Sequence, residues 1–373
     1  MKKLNILFCY MYQDTRIGSS LGDNIVNGFK ALGHNTTTCG PARGNFSEPL
    51  LSKHDIPVID KINHPEIYNY DDILKLFNDK YGYNPDLIVQ LDSHFYFSGK
   101  KPKDIPCVYW IADIHRGPIV FRDMAIAGNF DKIFLTQKYY APIFDRVGLD
   151  CDILPWAYDS TCIFEQNIKS ECDISFVGTT GIKQDVFKKY FSLYGELDEE
   201  IGLRYYRMHD LAAIPLEERL MGWDNRSFEY SERAELLVRL SKDFNVRVYE
   251  RCSGEKLAQA LSRGMIGFHH SLRRDITLRL FEVPAVNRLL IADEIPFLEE
   301  YMVNKKHFVS FRQYYQPIFA GFNLDYEEVK YRVSYYLKHH NEREEIALQG
   351  MRHVQQNHTF KCRAEQLLKI VFK

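Results

Sequence analysis

Arg273, Arg274 and Arg279 crowd one stretch of the sequence, RRDITLRLFEVPA, and Glu282 stands three residues after the last of them. A guanidinium is a planar fork of donors that matches phosphate oxygens, and a carboxylate accepts hydrogen bonds from sugar hydroxyls. The stretch follows the strand-like run MIGFHH and reads as a helix starting at Thr277. Unpaired N–H groups there would add about half a positive charge to that of the arginines. Glu282 lies about one helical turn beyond Arg279, so both can share a face. This combination predicts a pocket for a diphosphate joined to hydroxylated rings, as in a nucleotide sugar. The structural alternative is a solvated helix face whose arginines pair with Asp275 and Glu282.

Other residues could complete such a pocket. Gly178 and Thr179 follow the strand DISFV as a small polar turn, and Tyr249 ends the strand FNVRVYE, where a ring could stack on a base. Gly18 and Ser19 sit between the first strand and the first helix, where a backbone can approach an anion closely. Two Asp-x-His pairs, Asp92-Ser93-His94 and Asp113-Ile114-His115, each end a predicted strand. A histidine can take the proton of an acceptor hydroxyl while an aspartate orients its ring, and His115 with Asp113 is the preferred pair. Four such ligands could instead hold a divalent metal, which would make the contrasting class a metal-dependent hydrolase. No Cys-x-x-Cys motif or Cys/His array of zinc spacing accompanies them, nor a convincing Asp-x-Asp motif, so no metal and no bound cofactor is expected.

These residues must be positioned by elements that the sequence spells out. LNILFCY (4–10), DLIVQLD (86–92), PCVYWIAD (106–113) and DKIFLTQ (131–137) are apolar runs of buried-strand length. LGDNIVNGFKALG (21–33) has helical spacing of Leu21, Ile25, Phe29 and Leu32, closed by Gly33. DISFVG (173–178), FNVRVYE, MIGFHH, RLLIAD and HFVSF form a second series, with SGEKLAQALSRG as a helix. Strands alternating with helices predict parallel sheets covered on both faces. Residues 183–231 read as a helical insertion. Asn341 with Glu344 signals a helix over 342–356, and Thr359 can cap a last helix.

The chain of 373 residues exceeds the ~250–300 at which single cores stop growing, so two domains are expected. Residues 1–156 form the N-terminal, acceptor-side domain, 157–172 the linker and 173–356 the C-terminal donor domain, while 357–373 pack back on the first domain. With 45% hydrophobic residues the chain can fill two cores, and a formal net charge of −2 draws it to neither nucleic acid nor an anionic membrane. The apolar start MKKLNILFCY is too short for a signal sequence and no run approaches a membrane span. Eight scattered cysteines suggest reduced thiols in a cytoplasmic protein with no integral membrane contact.

DISFVGTT, the run from YERCSGEKL through LRLFEVPAVNRLLIAD to FLEEYM, and NHTFKCRAEQLL together resemble the carboxyl-terminal domain of GT-B glycosyltransferases, in the spore maturation glycosyltransferase-like branch. The resemblance covers roughly 173–181 and 249–370, and ILPWAYDS is similar to the interdomain segment of that fold. It implies two Rossmann-like domains facing a cleft, and a metal-independent, retaining transfer of a sugar from a nucleoside diphosphate donor, UDP-linked, to a hydroxyl acceptor. Arg279 and Glu282 would hold the donor, with Arg273 or Arg274 on the leaving diphosphate. Retaining members often carry two glutamates separated by seven residues; eight after Glu282 stands Leu290, so the match departs there. The acceptor could be a glycan, a small molecule or a hydroxylated DNA base. From another class, the chain could be a nucleotide-sugar-binding protein without catalysis.

Overall fold

The computed structural model describes residues 2–10, 12–13, 21–40, 42–43, 54–57, 67–91, 96–112, 114, 117–180, 196–200, 202–207, 228–250, 252–272, 274–312 and 326–373. The chain forms two compact units, residues 1–159 with 358–373, and residues 160–357.

In the first unit the strands of the main sheet are β1 (Asn5–Cys9), β2 (Asn35–Gly40), β3 (Ile56–Pro57), β4 (Leu87–Leu91), β5 (Cys107–Ile111), β6 (Lys132–Leu135) and β7 (Cys151–Ile153). They make one parallel sheet in the order β7-β6-β5-β4-β1-β2-β3. Strands β4 and β5 are buried along their whole length, as continuous apolar runs require when helices cover both faces. Strand β2 has no apolar run. Its sequence NTTTCG pairs residue for residue with β1, from Asn5↔Asn35 to Cys9↔Cys39, and its β-branched threonines suit a pleated surface.

Helix α1 (Leu21–Lys30) buries Ile25, Val26 and Phe29, the stripe that its periodicity marks. Helix α2 (Tyr70–Tyr81) is stopped cleanly at both ends: the Asn69 side chain accepts the Asp71 N–H, and Gly82, at φ 77°, donates its N–H to Asn78 O. The last helix (Phe360–Val371) belongs to this unit and packs against α1, with Thr359 Oγ1 accepting the Cys362 N–H at 3.1 Å as its cap. Close approach depends on Gly28, because a Cβ there would lie 2.4 Å from the backbone oxygen of Phe360. Gly28→Ala should therefore destabilise the first unit by about 1–3 kcal/mol in chemical denaturation. Unchanged stability would show that the two helices separate at no cost.

In the second unit the elements are β8 (Cys172–Val177), β9 (Glu196–Asp198), β10 (Leu203–Arg207), α3 (Phe228–Leu240), β11 (Val246–Tyr249), α4 (Gly254–Ser262), β12 (Gly264–His269), α5 (Arg279–Ala285), β13 (Leu289–Asp293), β14 (Val309–Phe311), α6 (Tyr326–Lys338) and α7 (His340–Asn357). The sheet order is β9-β10-β11-β8-β12-β13-β14. Five strands are parallel, and β9 and β10 extend them as an antiparallel hairpin. That hairpin lies inside the segment expected to be helical, of which 183–195 and 208–227 are outside the described residues. Helix α7 begins at His340, two residues ahead of the expected start. Among the described residues no helix is long and apolar enough to cross a membrane.

Candidate active site

In the second unit the chain leaves β8 for β11 on one side and then crosses to β12 on the other. The junction of β8 and β12 is thus the point where successive connections diverge, and ligands of open α/β sheets bind beyond the carboxyl ends of strands at such a point. Two glycines bring these elements together along their length. A Cβ on Gly264 would meet Ser175 N at 2.5 Å, and one on Gly267 would meet Val283 Cγ1 at 2.3 Å, so β8, β12 and α5 pack closely.

A belt of side-chain to backbone links crosses these strand ends. Beyond β11, Glu250 Oε1 accepts both the N–H and the Oγ1–H of Thr180, at 2.8 Å each, from the turn after β8. Arg233 of α3, buried at 7% exposure, reaches that turn and the one after β12. Its Nη1 donates to Thr179 O at 2.9 Å, while Nε and Nη2 donate to His270 O at 3.0 and 2.6 Å. Beyond β12, the Ser271 N–H donates to Asp293 Oδ1 at 2.8 Å and its hydroxyl to Oδ2, which fixes the end of β13. From α5, Arg279 Nε donates to Val177 O at 2.9 Å and Nη1 pairs with Glu282. Arg279 Nη2 engages no described residue, and the side chain keeps 19% of its accessible surface.

The structure brings Gly178, Thr179, Arg279 and Glu282 to this edge. Gly178 donates its N–H to Tyr249 O at 3.0 Å, Thr179 is exposed, and Glu282 is buried at 4%. Thr277 lies beside them, its Oγ1 3.3 Å from His269 Nε2, but the helix starts at Arg279 and has only seven residues. Arg274 points elsewhere: Nε and Nη2 donate to Glu294 O beyond β13, at 3.3 and 3.1 Å. Tyr249 faces the core and not a ligand. Its ring is fully buried and packs 5.5 Å from that of Tyr205, its register partner on β10, so the antiparallel hairpin removes it from stacking on a base. Gly18, Ser19, Arg273, Asp113, His115, Asp92 and His94 lie outside the described residues.

Sequence reasoning missed Arg233, Glu250, His269, His270 and Asp293. The last four lie at the ends of predicted strands, FNVRVYE, MIGFHH and RLLIAD, so the strand-end rule applied to Tyr249 could have found them. Arg233 gave no signal of spacing, being 37 residues from its partner His270.

Residues 191–369 match the family model described as glycosyl transferase-like. The chain carries a glycosyl transferase-like domain. No curated protein matches the sequence. Among solved structures, a glycosyltransferase from Rickettsia africae is similar at 13% identity, with 100% of this chain and 98% of that chain covered and a TM-score of 0.55. Anabaena HepE in complex with UDP-glucose is similar at 13% identity, 99% coverage of each chain and a TM-score of 0.53. An alpha-glucosyltransferase in complex with UDP and a 13-mer DNA containing a HMU base is similar at 12% identity, 100% coverage of each chain and a TM-score of 0.57. The fold is that of GT-B glycosyltransferases, two parallel-sheet Rossmann-like units, and the enzyme class is glycosyltransferase.

In the glycosyl transferase-like domain the belt sets the protonation of its members. Burial, reinforced by the charge of Arg233, drives the His270 pKa down to about 3, and burial with Arg233 and Arg279 drives that of His269 well below the usual range. Burial pushes Asp293 up to about 6 against the two Ser271 hydrogen bonds, and raises Glu282 against the pull of Arg279. Among the described residues no group of three or more His, Cys, Asp and Glu side chains could hold a metal ion.

A neutral buried histidine makes the domain sensitive to acid. His270 has a folded pKa below its unfolded value of ~6.5, so its contribution is complete above that pH and lost as pH falls toward 3. Asp293 acts with the opposite sign: its folded pKa is raised, so its contribution is complete below ~4 and lost as pH rises through about 6. His270→Asn should therefore flatten the stability curve relative to wild type by about 1.4 kcal/mol per pH unit between pH 6 and 4. Denaturation midpoints across that range measure it, and parallel curves would show that His270 titrates alike in folded and unfolded chains.

Proposed function

We propose that this glycosyltransferase moves a sugar from a nucleoside diphosphate donor, UDP-linked, to a hydroxyl acceptor, without a metal ion and with retention at the anomeric carbon. One observation carries the reading: Arg279, at the divergence of β8 and β12, is held by Val177 O and Glu282 while its Nη2 engages no described residue. A guanidinium fixed in this way meets a diphosphate without reorganising. In the reaction the bond between the anomeric carbon and the diphosphate oxygen breaks, the leaving oxygen takes the electron pair, and the acceptor oxygen bonds to that carbon. Arg279 stabilises the charge on the departing diphosphate, Glu282 accepts a hydroxyl of the sugar or ribose, and His115, oriented by Asp113, receives the acceptor proton. Gly178 and Thr179, in the turn after β8, border the diphosphate in this reading. Membership of the spore maturation-like branch rests on the LRLFEVPA block.

A thermal-shift screen against UDP, GDP, ADP, CMP and dTDP, with EDTA or magnesium, tests the donor, since a ligand of the folded state alone raises stability by mass action. Stabilisation by UDP that is indifferent to EDTA is expected. No nucleotide response, with destabilisation by EDTA, would move the two Asp-x-His pairs forward as metal ligands. The anomeric configuration of the product, read by NMR, decides retention. A hydroxylated base in DNA is a second reading of the acceptor, supported by the similar alpha-glucosyltransferase solved with UDP and DNA. Duplex binding that falls steeply with salt would favour it.

A further inference from the structure

Arg279 and Arg233 hold the same turn from two sides. Arg279 takes the carbonyl of Val177, the last residue of β8, and Arg233 takes the carbonyl of Thr179, two residues on. Only Arg233 also bridges to β12, through two hydrogen bonds to His270 O, so it spans the point where the sheet's connections diverge. Its guanidinium lies 5.5 Å from the Phe176 ring centroid, a cation–π contact that adds to the three hydrogen bonds in fixing its plane. The direction of the Arg279 fork depends on where the Val177 carbonyl points. That in turn depends on the turn that Arg233 anchors.

We propose that Arg233 is the positioning residue of the diphosphate subsite: by tying the turn after β8 to the turn after β12 it fixes the carbonyl that aims Arg279 at the donor's phosphates. The inference rests on the donor reading above. Its charge is felt at the same strand ends, where it adds to burial in depressing both His269 and His270. A lysine here could reach one carbonyl or the other, but an ammonium has no rigid fork to hold two turns at a fixed separation.

The test is the affinity of the full chain for UDP and for uridine, by calorimetric titration, in wild type, Arg233→Lys and Arg233→Met. The expected result is a loss of UDP affinity of about ten- to hundredfold in Arg233→Met, the range for a charged hydrogen-bonding group, with uridine affinity unchanged. Arg233→Lys should recover part of that loss. If Arg233 only supports the fold, uridine and UDP weaken together, and that outcome overturns the proposal. Unchanged affinity for both ligands in Arg233→Met overturns it as well. A wild type that binds neither ligand removes the donor reading itself, and the positioning role with it. Should Arg233→Met fail to fold, Arg233→Lys carries the comparison: equal losses for the two ligands, or no loss for UDP, refute the role.

Discussion

Arg279→Ala should abolish the stabilisation that UDP confers and lower the stability of the second unit by about 3–5 kcal/mol, the cost of leaving one member of a buried ion pair alone. Glu282 would keep its buried position with its guanidinium gone, and Val177 O would lose its donor. The carboxyl is already raised by burial and held back only by Arg279, so the variant should take up a proton there at higher pH than wild type. A double substitution separates the two effects. Arg279→Ala with Glu282→Gln removes the uncompensated charge and should regain part of the stability, yet it should remain blind to UDP. Denaturant melts and UDP titrations of the single and double variants measure both. An Arg279→Ala protein that still responds to UDP as wild type does would remove Arg279 from the donor site.

Arg363→Ala should weaken the first unit to a similar extent. Arg363 is buried at 2% exposure, and its guanidinium donates to Pro155 O at 2.8 Å and to Trp156 O at 3.1 Å, with His358 Nδ1 2.7 Å from Nη2. Truncation strands two buried carbonyls at about 1–3 kcal/mol each. Arg363→Lys should recover only part of the loss, since one ammonium lacks the planar spread of donors that serves these partners and also Gln366 Oε1, which Nη1 meets at 3.2 Å. Hydrogen exchange is the direct measurement: amides of the last helix should lose protection in Arg363→Ala, while those of β8 and β12 in the second unit should not. Unchanged protection of the last helix would show that its apolar stripe alone holds it. A single unfolding free energy would mix the two units, which makes the local reading preferable.

How far the sequence discloses this depends on the range of the forces. The strands LNILFCY, DLIVQLD and DISFVG and the helix over Leu21–Lys30 follow from local hydrophobic runs and periods, and the structure has them. NTTTCG escapes the same reading, because its place between β1 and β3 comes from pairing and β-branching and not from apolar content. The hairpin of β9 and β10 escapes it too. Its consequence at Tyr249 is instructive: a strand-end aromatic reads as exposed only while the neighbouring strand is unknown. At the site, Arg279 with Glu282 is legible because a spacing of three on a helix makes a contact. Arg233 is illegible because its contacts with Thr179 and His270 join positions that only tertiary packing brings together.

The chain enters the second unit after Asp159 and returns to the first at His358, and the two passages are paired: Tyr158 donates its N–H to His358 O at 3.1 Å and accepts from Phe360 N at 3.0 Å. During synthesis the ribosome therefore delivers the first unit in two instalments. Its sheet emerges early, but the helix that covers α1 through Gly28 arrives only after all of residues 160–357 have been made. The nascent first unit must wait with the surface over α1 unfilled while the second unit, whose residues are contiguous, can fold without a pause. An interruption of translation between residues 357 and 373 would leave a finished second unit attached to an unfinished first one.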